Sequence, residues 1–403
     1  MKPKLLIIDF EYHPIYNANT NIVKRLSSFL KEKYDIVIAT QNSMNAPSYE
    51  NEHGIQIYRT PVHHTSNVSK NSLDDYIKLL VFKIANFIRE SCIDEKSAFF
   101  FIKDICNFIN LQEFDLILSF SNPFTSHYCA SILSKKYNIP WIAYYLDPFY
   151  TNATLPPNHF TERKKIEEEL LGNAIRIIMT YPTNENYQRF RFKYKDKIVK
   201  AEMPGINFDN FIGNDDKERK ACKCYYIGNL YKDIRDPASA VKIFSMLDEF
   251  DIELNFVGGW YGPKMDFEGL SSKNIVFLGT KNVDELVEIY RDADILLNIG
   301  NLIDNQMPSK IFEYISTGKP IINIYKVKNC PTLKYLCNYP LALNIFEDDL
   351  LKNTNQYASI IRNFCFSKMG KTVSAEYIKN SYNANTDNMV CEFLCSQIND
   401  VLR

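Results

Sequence analysis

Short runs of consecutive apolar residues recur along this chain, separated by longer amphipathic stretches. Leu5–Phe10, Ile36–Thr40, Ile55–Arg59, Leu116–Phe120, Trp141–Tyr145, Ile175–Thr180 and Ile198–Glu202 read as buried strands. A strand with apolar residues at successive positions is covered on both faces, which means a parallel sheet under helices. Helical periodicity lies between them, as at Asn21–Lys33, Thr125–Tyr137 and Glu162–Leu171. The pattern then restarts. Cys224–Ile227, Leu254–Val257, Ile275–Leu278, Ile295–Ile299 and Pro320–Tyr325 are strand-like, with helical patterns at Pro237–Glu249, Val283–Arg291 and Pro308–Ser316. The polar, highly charged Asn207–Lys220 connects the two series. The expectation is two Rossmann-like, doubly wound α/β domains, 1–206 and 207–372. A helical segment, 373–403, would pack back on the first. Ligands of such sheets bind at the carboxyl ends of the strands, so two such ends would face a central cleft.

Composition narrows the function. With 46% hydrophobic and 24% charged residues in 403, disorder and fibrous folds are excluded. Lys plus Arg number 47 against 48 Asp plus Glu, a balance unlike that of a nucleic-acid binder. An anionic ligand must therefore be held by a few placed residues. Ten Cys at irregular spacing include no CxxC pair and no zinc pattern, so reduced thiols, no metal site and a reducing compartment are expected. The apolar Leu5–Ile8 is too short for a signal-peptide core, and no run approaches a membrane span, which points to the cytoplasm. Leu73–Asn110 is helical in pattern and carries Phe99-Phe100-Phe101. The simpler reading is an extra helix on the first sheet; the alternative is a surface for a membrane or lipid-linked acceptor.

The most informative stretch is NQMPSKIFEYISTGKP, Asn305 to Pro320. Pro308 suits the first helical position and Gly318 the left-handed position past the helix end. Lys310 then lies in the first turn, where the helix dipole disfavours a cation and favours a phosphate. Glu313, three residues on, is placed to accept from a sugar diol, or merely to favour the helix start. Gly228, Gly258 and Gly259 follow strand patterns in a chain with 13 Gly, and there let backbone approach a phosphate or sugar. Arg235 offers a guanidinium fork suited to a diphosphate, or to a surface ion pair with Asp233 or Asp236. Trp260-Tyr261 offers rings for a sugar or base. Asp292-Ala293-Asp294 has the DxD form of a metal motif but sits at a helix-to-strand junction and reads as structural.

At PSKIFEYISTGKPI the chain resembles GT-B glycosyltransferases of family 4. Tyr226-Ile227-Gly228-Asn229-Leu230, Arg235-Asp236-Pro237, Phe256-Val257-Gly258-Gly259, Val276-Phe277-Leu278-Gly279 and Arg291-Asp292-Ala293-Asp294-Ile295 extend the likeness. Ser121-Asn122-Pro123, Ile139-Pro140-Trp141 and Asp147-Pro148 carry it into the first half. The resemblance implies a nucleotide-sugar donor, a UDP-sugar first, with no further cofactor. It implies donor contacts at Gly228, Asn229, Arg235, Gly258, Gly259, Thr280, Asn305, Pro308, Ser309, Lys310 and Glu313. Glu313 would bind ribose hydroxyls and Lys310 would reach the diphosphate. It further implies retention at the anomeric carbon, with Arg235 and Lys310 stabilising the leaving group in place of a metal.

Two departures stand out. Many members of the family carry an acidic pair seven residues apart, and here its first position is Asn305. Their Gly-Gly loop after the first strand is replaced by Tyr16-Asn17-Ala18-Asn19-Thr20-Asn21. Asn17, Asn19 and Thr20 would cap the following helix or bond an acceptor. His13 and Asn122 lie at comparable strand ends, whereas His63-His64 reads as loop. Asp147, at a carboxyl strand end before Pro148, would orient or deprotonate an acceptor hydroxyl, or simply start a turn. The acceptor would be a glycan or lipid-linked sugar in bacterial surface polysaccharide assembly, at the inner face of the membrane. Rival readings are a nucleotide-sugar epimerase on the same fold and a catalytically silent nucleotide-binding partner subunit.

Overall fold

The computed structural model describes residues 2–15, 17–42, 44–62, 95–152, 160–208, 211, 221–232, 234–261 and 273–403. The chain divides into two compact units, Met1–Pro204 with Asp387–Arg403, and Gly205–Thr386. The sequence suggested breaks at 206 and 372; the second break lies at 386. Most of Asn207–Lys220, residues 73–94 of the aromatic stretch, Tyr16, His63-His64 and Asp233, one of the two acids offered as an ion-pair partner of Arg235, lie outside the described residues.

The first unit contains β1 (Lys4–Ile8), α1 (Ala18–Leu30), β2 (Asp35–Asn42), β3 (Tyr49–Glu52), β4 (Ile55–Pro61), α2 (Glu95–Phe108), β5 (Leu116–Ser121), α3 (Thr125–Tyr137), β6 (Trp141–Tyr145), α4 (Phe160–Leu170), β7 (Arg176–Thr180), α5 (Thr183–Arg189) and β8 (Ile198–Ala201). The helix α13 (Asp387–Leu402) completes it. The sheet order is β3-β4-β2-β1-β5-β6-β7-β8, parallel except for β3 against β4. Order reverses at β1/β5, where Leu6 lies between Val37 and Ile117. Leu6, Ile8, Ile117, Trp141 and Tyr145 are buried together under the helices. Phe101 of α2 belongs to this core and packs edge-on to Phe10 at 5.1 Å. That supports the extra-helix reading of its segment. One polar group in the core is fully satisfied: Ser119 Oγ accepts from Trp141 Nε1 and contacts His127 Nδ1, both at 2.7 Å. Burial pushes the His127 imidazole down to about 3, so it is neutral there. The helix α13 is tied to α1 and the residues after it by Arg25–Asp387 at 2.8 Å and Tyr34–Asn399 at 2.8 Å.

The second unit contains β9 (Cys222–Ile227), β10 (Leu230–Tyr231), α6 (Ala238–Ser245), β11 (Ile252–Val257), β12 (Trp260–Tyr261), β13 (Ile275–Gly279), α7 (Val283–Asp292), β14 (Ile295–Ile299), α8 (Lys310–Thr317), β15 (Ile321–Tyr325), α9 (Leu333–Leu336), β16 (Ala342–Phe346), α10 (Glu347–Lys352), α11 (Thr354–Lys368) and α12 (Ala375–Tyr382). Its wholly parallel sheet runs β13-β11-β9-β14-β15-β16, the doubly wound order with its switch point at β9/β14. Asn298, Asn323 and Asn344 stand in register across β14, β15 and β16, each amide bonding the next at 2.7 and 2.8 Å. This row satisfies polar groups that would otherwise be costly inside a sheet.

Strands β3, β10, β12 and β16 were not visible in the sequence. β3 is the polar YENE on an antiparallel edge, and β16 is an edge strand with only Ile345 fully buried. Neither carries the continuous buried apolar run of β1, β5, β6 and β14.

Candidate functional site

Each unit offers its own mouth at the carboxyl edge of its sheet. In the second unit Ile227 leads into Gly228 at φ +153° and Val257 into Gly258 at φ +136°. A Cβ on Gly258 would lie 2.1 Å from the Gly228 carbonyl oxygen, so the two strand ends touch as only glycine allows. The backbone groups here are already paired. Gly228 N–H donates to Val257 O (2.8 Å), Gly258 N–H to Gly279 O (2.9 Å) and Gly259 N–H to Asn229 Oδ1 (2.9 Å). These three N–H groups thus lock neighbouring strand ends together. Thr280, after Gly279, is exposed.

Arg235 follows on the same edge. Its Nε and Nη2 both donate to Asn301 Oδ1, at 3.0 and 2.7 Å, and among the described residues no carboxylate pairs with it. Asn301, buried after Gly300 at the end of β14, also donates through Nδ2 to Gln306 O at 3.3 Å. That bond ties Arg235 to the loop leading into α8. Buried Asn305 belongs to the same loop.

Helix α8 ends as expected, with Gly318 at φ +75°. A Cβ there would meet Val373 O at 2.8 Å. Its start is shifted. The first helical residue is Lys310; Pro308 lies two before it, its carbonyl accepting from Ile311 N–H at 3.1 Å. Ser309 makes no side-chain cap, and among the described residues the Ser309 and Lys310 N–H groups have no acceptor. Lys310 Nζ pairs with Glu313 Oε2 at 2.6 Å, and the same oxygen accepts from Tyr290 OH at 2.9 Å. Burial, with the Glu313 charge beside it, pushes the Tyr290 phenol well up, so it stays a donor. Tyr314, on the inner side of α8, accepts from Ile227 N–H (2.8 Å) and clamps the helix to the end of β9. Lys319 Nζ, almost buried, donates to the carbonyls of Arg291 and Ala293, a cation at the end of α7 where the dipole favours one. Tyr290 and Glu313 are thereby aligned by both ends of the GKP-containing motif.

In the first unit, Asn17 and Thr20 form a reciprocal capping box at the start of α1. This is the helix-cap alternative of their sequence reading. Asn17 Nδ2 also donates to Glu11 Oε2 at 3.2 Å. Asn19 Nδ2 reaches the carbonyl of exposed Asn122 at 3.4 Å, and its side chain also bonds Asp147. Burial raises the Asp147 carboxyl, an effect the Asn19 bond partly offsets. His13 is buried; burial, then Lys24, lowers its imidazole. Its carbonyl accepts two bonds from buried Arg59, at 3.2 and 3.1 Å. The structure thus brings Asn19, Asn122 and Asp147 together.

Sequence reading passed over Asp9, at the end of β1. It is 1% exposed, its Oδ2 has no hydrogen-bond partner, and burial, then the Glu11 charge, raises its carboxyl well above the usual range. An acid closing an apolar strand run was the available signal. Asn301 and Tyr290, which hold Arg235 and Glu313, carry no signal in sequence.

Asp292 and Asp294 are held by neighbours, Asp292 by Lys223 Nζ (3.0 Å) and Tyr225 OH (2.7 Å), Asp294 by Lys223 N–H (2.9 Å). The fold also gathers Cys222, Cys224 and Cys365, separated in sequence, with sulfurs within 4.8 Å in the second core. They belong to the same apolar cluster as Ile, Leu and Phe side chains of the second core.

No protein-family model matches the sequence, and no curated protein matches it. Solved structures do. HepE of Anabaena, in complex with UDP and glucose, aligns with a TM-score of 0.61 at 11% identity, over 98% of this chain and 99% of that one. The lipopolysaccharide outer core galactosyltransferase WaaB, in its apo form, gives 0.60 at 11%, over 98% and 99%. TarM gives 0.60 at 8%, over 100% and 99%. The chain has the fold of GT-B glycosyltransferases, built of two Rossmann-like α/β units.

Proposed function

We propose that this protein is a family 4-like glycosyltransferase that moves a sugar from a nucleoside diphosphate sugar, a UDP-sugar first, to a hydroxyl of a glycan or lipid-linked sugar. One observation carries the reading: Arg235 is tied through Asn301 to the loop that delivers Lys310 and the Ser309 and Lys310 N–H groups at the start of α8, and among the described residues Arg235 has no carboxylate partner and those N–H groups no acceptor. A diphosphate suits that combination. HepE, of like fold, was crystallised with UDP and with UDP-glucose.

Breaking the glycosidic bond adds charge to the diphosphate, and fixed cations stabilise it most at that moment. Lys310 would leave Glu313 for a phosphate oxygen, and the freed carboxylate would accept from the ribose diol. Retention and metal independence follow from the resemblance. Asp147, held by Asn19, would orient the acceptor hydroxyl. The Ile-, Lys- and Asn-rich composition supports an AT-rich bacterial source and surface polysaccharide assembly at the inner membrane face.

The test is calorimetric titration with UDP and UDP-sugars, followed by transfer assays with and without acceptor and with EDTA. We expect UDP binding, turnover only with acceptor, and survival in chelator. Glu313→Gln should weaken UDP binding by ~1.5–3 kcal/mol, the range for a hydrogen bond to a charged group. Sugar conversion without acceptor would favour the epimerase, and nucleotide binding without any conversion the silent subunit.

A further inference from the structure

The overall charge balance conceals a local excess. Residues 188–200 read QRFRFKYKDKIVK, with Arg189, Arg191, Lys193, Lys195, Lys197 and Lys200 against the single acid Asp196, in a chain of net charge −1. Aromatic residues alternate with the cations, yet only the short Ile198–Ala201 is a strand. The segment lies as a strip along α4. Phe190 packs edge-on to Phe160 at 5.5 Å, and Lys164 Nζ holds the Phe190 and Arg191 carbonyls at 3.1 and 3.3 Å. Further on, Lys193 N–H donates to Glu168 Oε1 at 2.7 Å, and Lys197 Nζ to the carbonyls of Gly172 and Ala174 at 2.9 Å. From Lys164 to the end of α4 at Leu170 the strip covers about 9 Å of helix rise.

Phe192, 1% exposed, pins the strip to the core. Arg191, Lys193 and Lys195 point outward as a result, exposed and, among the described residues, without a carboxylate partner. The acid beside them, Glu168, is already engaged by Lys164 at 3.8 Å and by the Lys193 N–H. The Lys193 and Lys197 ammonium groups sit over the Tyr194 ring at 5.1 and 5.0 Å. Phe190 leaves 39% of its surface in solvent beside them.

We propose that this strip docks on an anionic lipid bilayer, its cations against lipid phosphates and Phe190 at the interface. Arg191, Lys193 and Lys195, spaced two residues apart, with an exposed aromatic anchor suit a planar negative surface. Single-stranded nucleic acid fits less well, because it needs exposed rings for base stacking and only Phe190 is available. The proposal moves the membrane contact away from Phe99–Phe101, whose last ring lies in the core, and it does not depend on the transfer reading.

The test is co-sedimentation of the full chain with phosphatidylcholine vesicles, with and without phosphatidylglycerol. We expect binding to the anionic vesicles alone, falling ~10-fold or more when salt shortens the screening length. The triple variant Arg191→Glu, Lys193→Glu, Lys195→Glu should bind ~100-fold more weakly, since each cation near such a surface adds several-fold. Phe190→Ala should lose only a few-fold. Arg191, Lys193 and Lys195 are exposed, so the triple variant should melt as the parent does, whereas Phe190→Ala also loses packing on Phe160; the wild-type salt titration stands independently of either variant. Equal binding to neutral vesicles, or wild-type binding by the triple variant, would overturn the proposal. So would a single-stranded oligonucleotide that displaces the protein from vesicles.

Discussion

The two sheets share a strand order around their first strand but finish their carboxyl edges differently. In the second unit Gly228, Gly258, Gly279 and Gly300 close four adjacent strands. In the first, Asp9, Asn122, Leu146 and Tyr181 follow β1, β5, β6 and β7. One edge is made by backbone in close contact; the other is made by side chains. Charge divides along the same line. Arg235, and Lys310 with its partner Glu313, stand at the second mouth, Asp9, Glu11 and Asp147 at the first. A cationic mouth suits an anionic leaving group, and a carboxyl-lined one suits a hydroxyl. The lesson is that strand order locates a mouth, while the residues just past the strands decide what it can hold.

The largest effect expected from this contrast is at Gly258. Ala there must both hold φ +136° and clear a carbonyl oxygen 2.1 Å from its Cβ. Gly258→Ala should cost more than ~3 kcal/mol, or abolish soluble expression. In the first unit, exposed Asn122→Ala should stay within ~0.5 kcal/mol. Chemical denaturation of both variants measures the difference. A well-folded Gly258→Ala protein would mean that the strand ends are not in contact.

Arg235 comes next. Arg235→Ala should lower turnover ~10²- to 10³-fold, as loss of a fixed leaving-group donor does. Apo stability should fall by only ~1–3 kcal/mol, because buried Asn301 Oδ1 loses its donors. A stability loss with unaltered turnover would make Arg235 a structural strut and erase the charge contrast between the mouths.

Asp9 tests the other side, with the opposite sign. Its folded-state carboxyl is raised above the unfolded value of 3.8. Below that value the acid is neutral in both states, and the native protein has its full stability. As pH rises through the raised folded value, stability is lost, since the unfolded chain ionises freely while the native one holds an unpaired acid. Asp9→Asn should therefore raise stability by ~1–3 kcal/mol at neutral pH and change little near pH 3. Melting curves across that range decide it. A variant less stable at neutral pH would mean that Asp9 is satisfied in the native protein. Loss of transfer alongside higher stability would place it at the substrate.

Much of this was legible in the sequence because doubly buried parallel strands leave unbroken apolar runs. Leu116–Phe120, Trp141–Tyr145 and Ile295–Ile299 were located almost to the residue. Edge strands such as β3 and β16 leave no such run. Within the site, a bracketed helix with Lys310 and Glu313 could be read from local spacing alone. The roles of Asn301 and Tyr290 could not, since each acts through a contact across the fold that spacing does not encode. The glycines were located correctly, but their contacts were not: φ and the 2.1 Å approach belong to the folded pair of strand ends.

The smallest effect on stability is expected at Lys310, and its smallness is informative. As the first residue of α8 it stands where the dipole disfavours a cation by ~0.3–1 kcal/mol. Against this it gains the Glu313 pair at 2.6 Å, with side chains 30% and 35% exposed. A helical pair three residues apart in partial contact with water is worth ~0.2–0.5 kcal/mol. The two terms nearly cancel, so Lys310→Ala should change apo stability by less than ~0.5 kcal/mol. Glu313 keeps its Tyr290 bond in that variant and stays in place. If the donor diphosphate draws Lys310 away from Glu313, turnover should still fall by more than ~10-fold. Raising salt should weaken the apo pair without reproducing that loss. A variant as active as the parent would leave Lys310 only the partner of Glu313, and the cationic mouth would then rest on Arg235 alone.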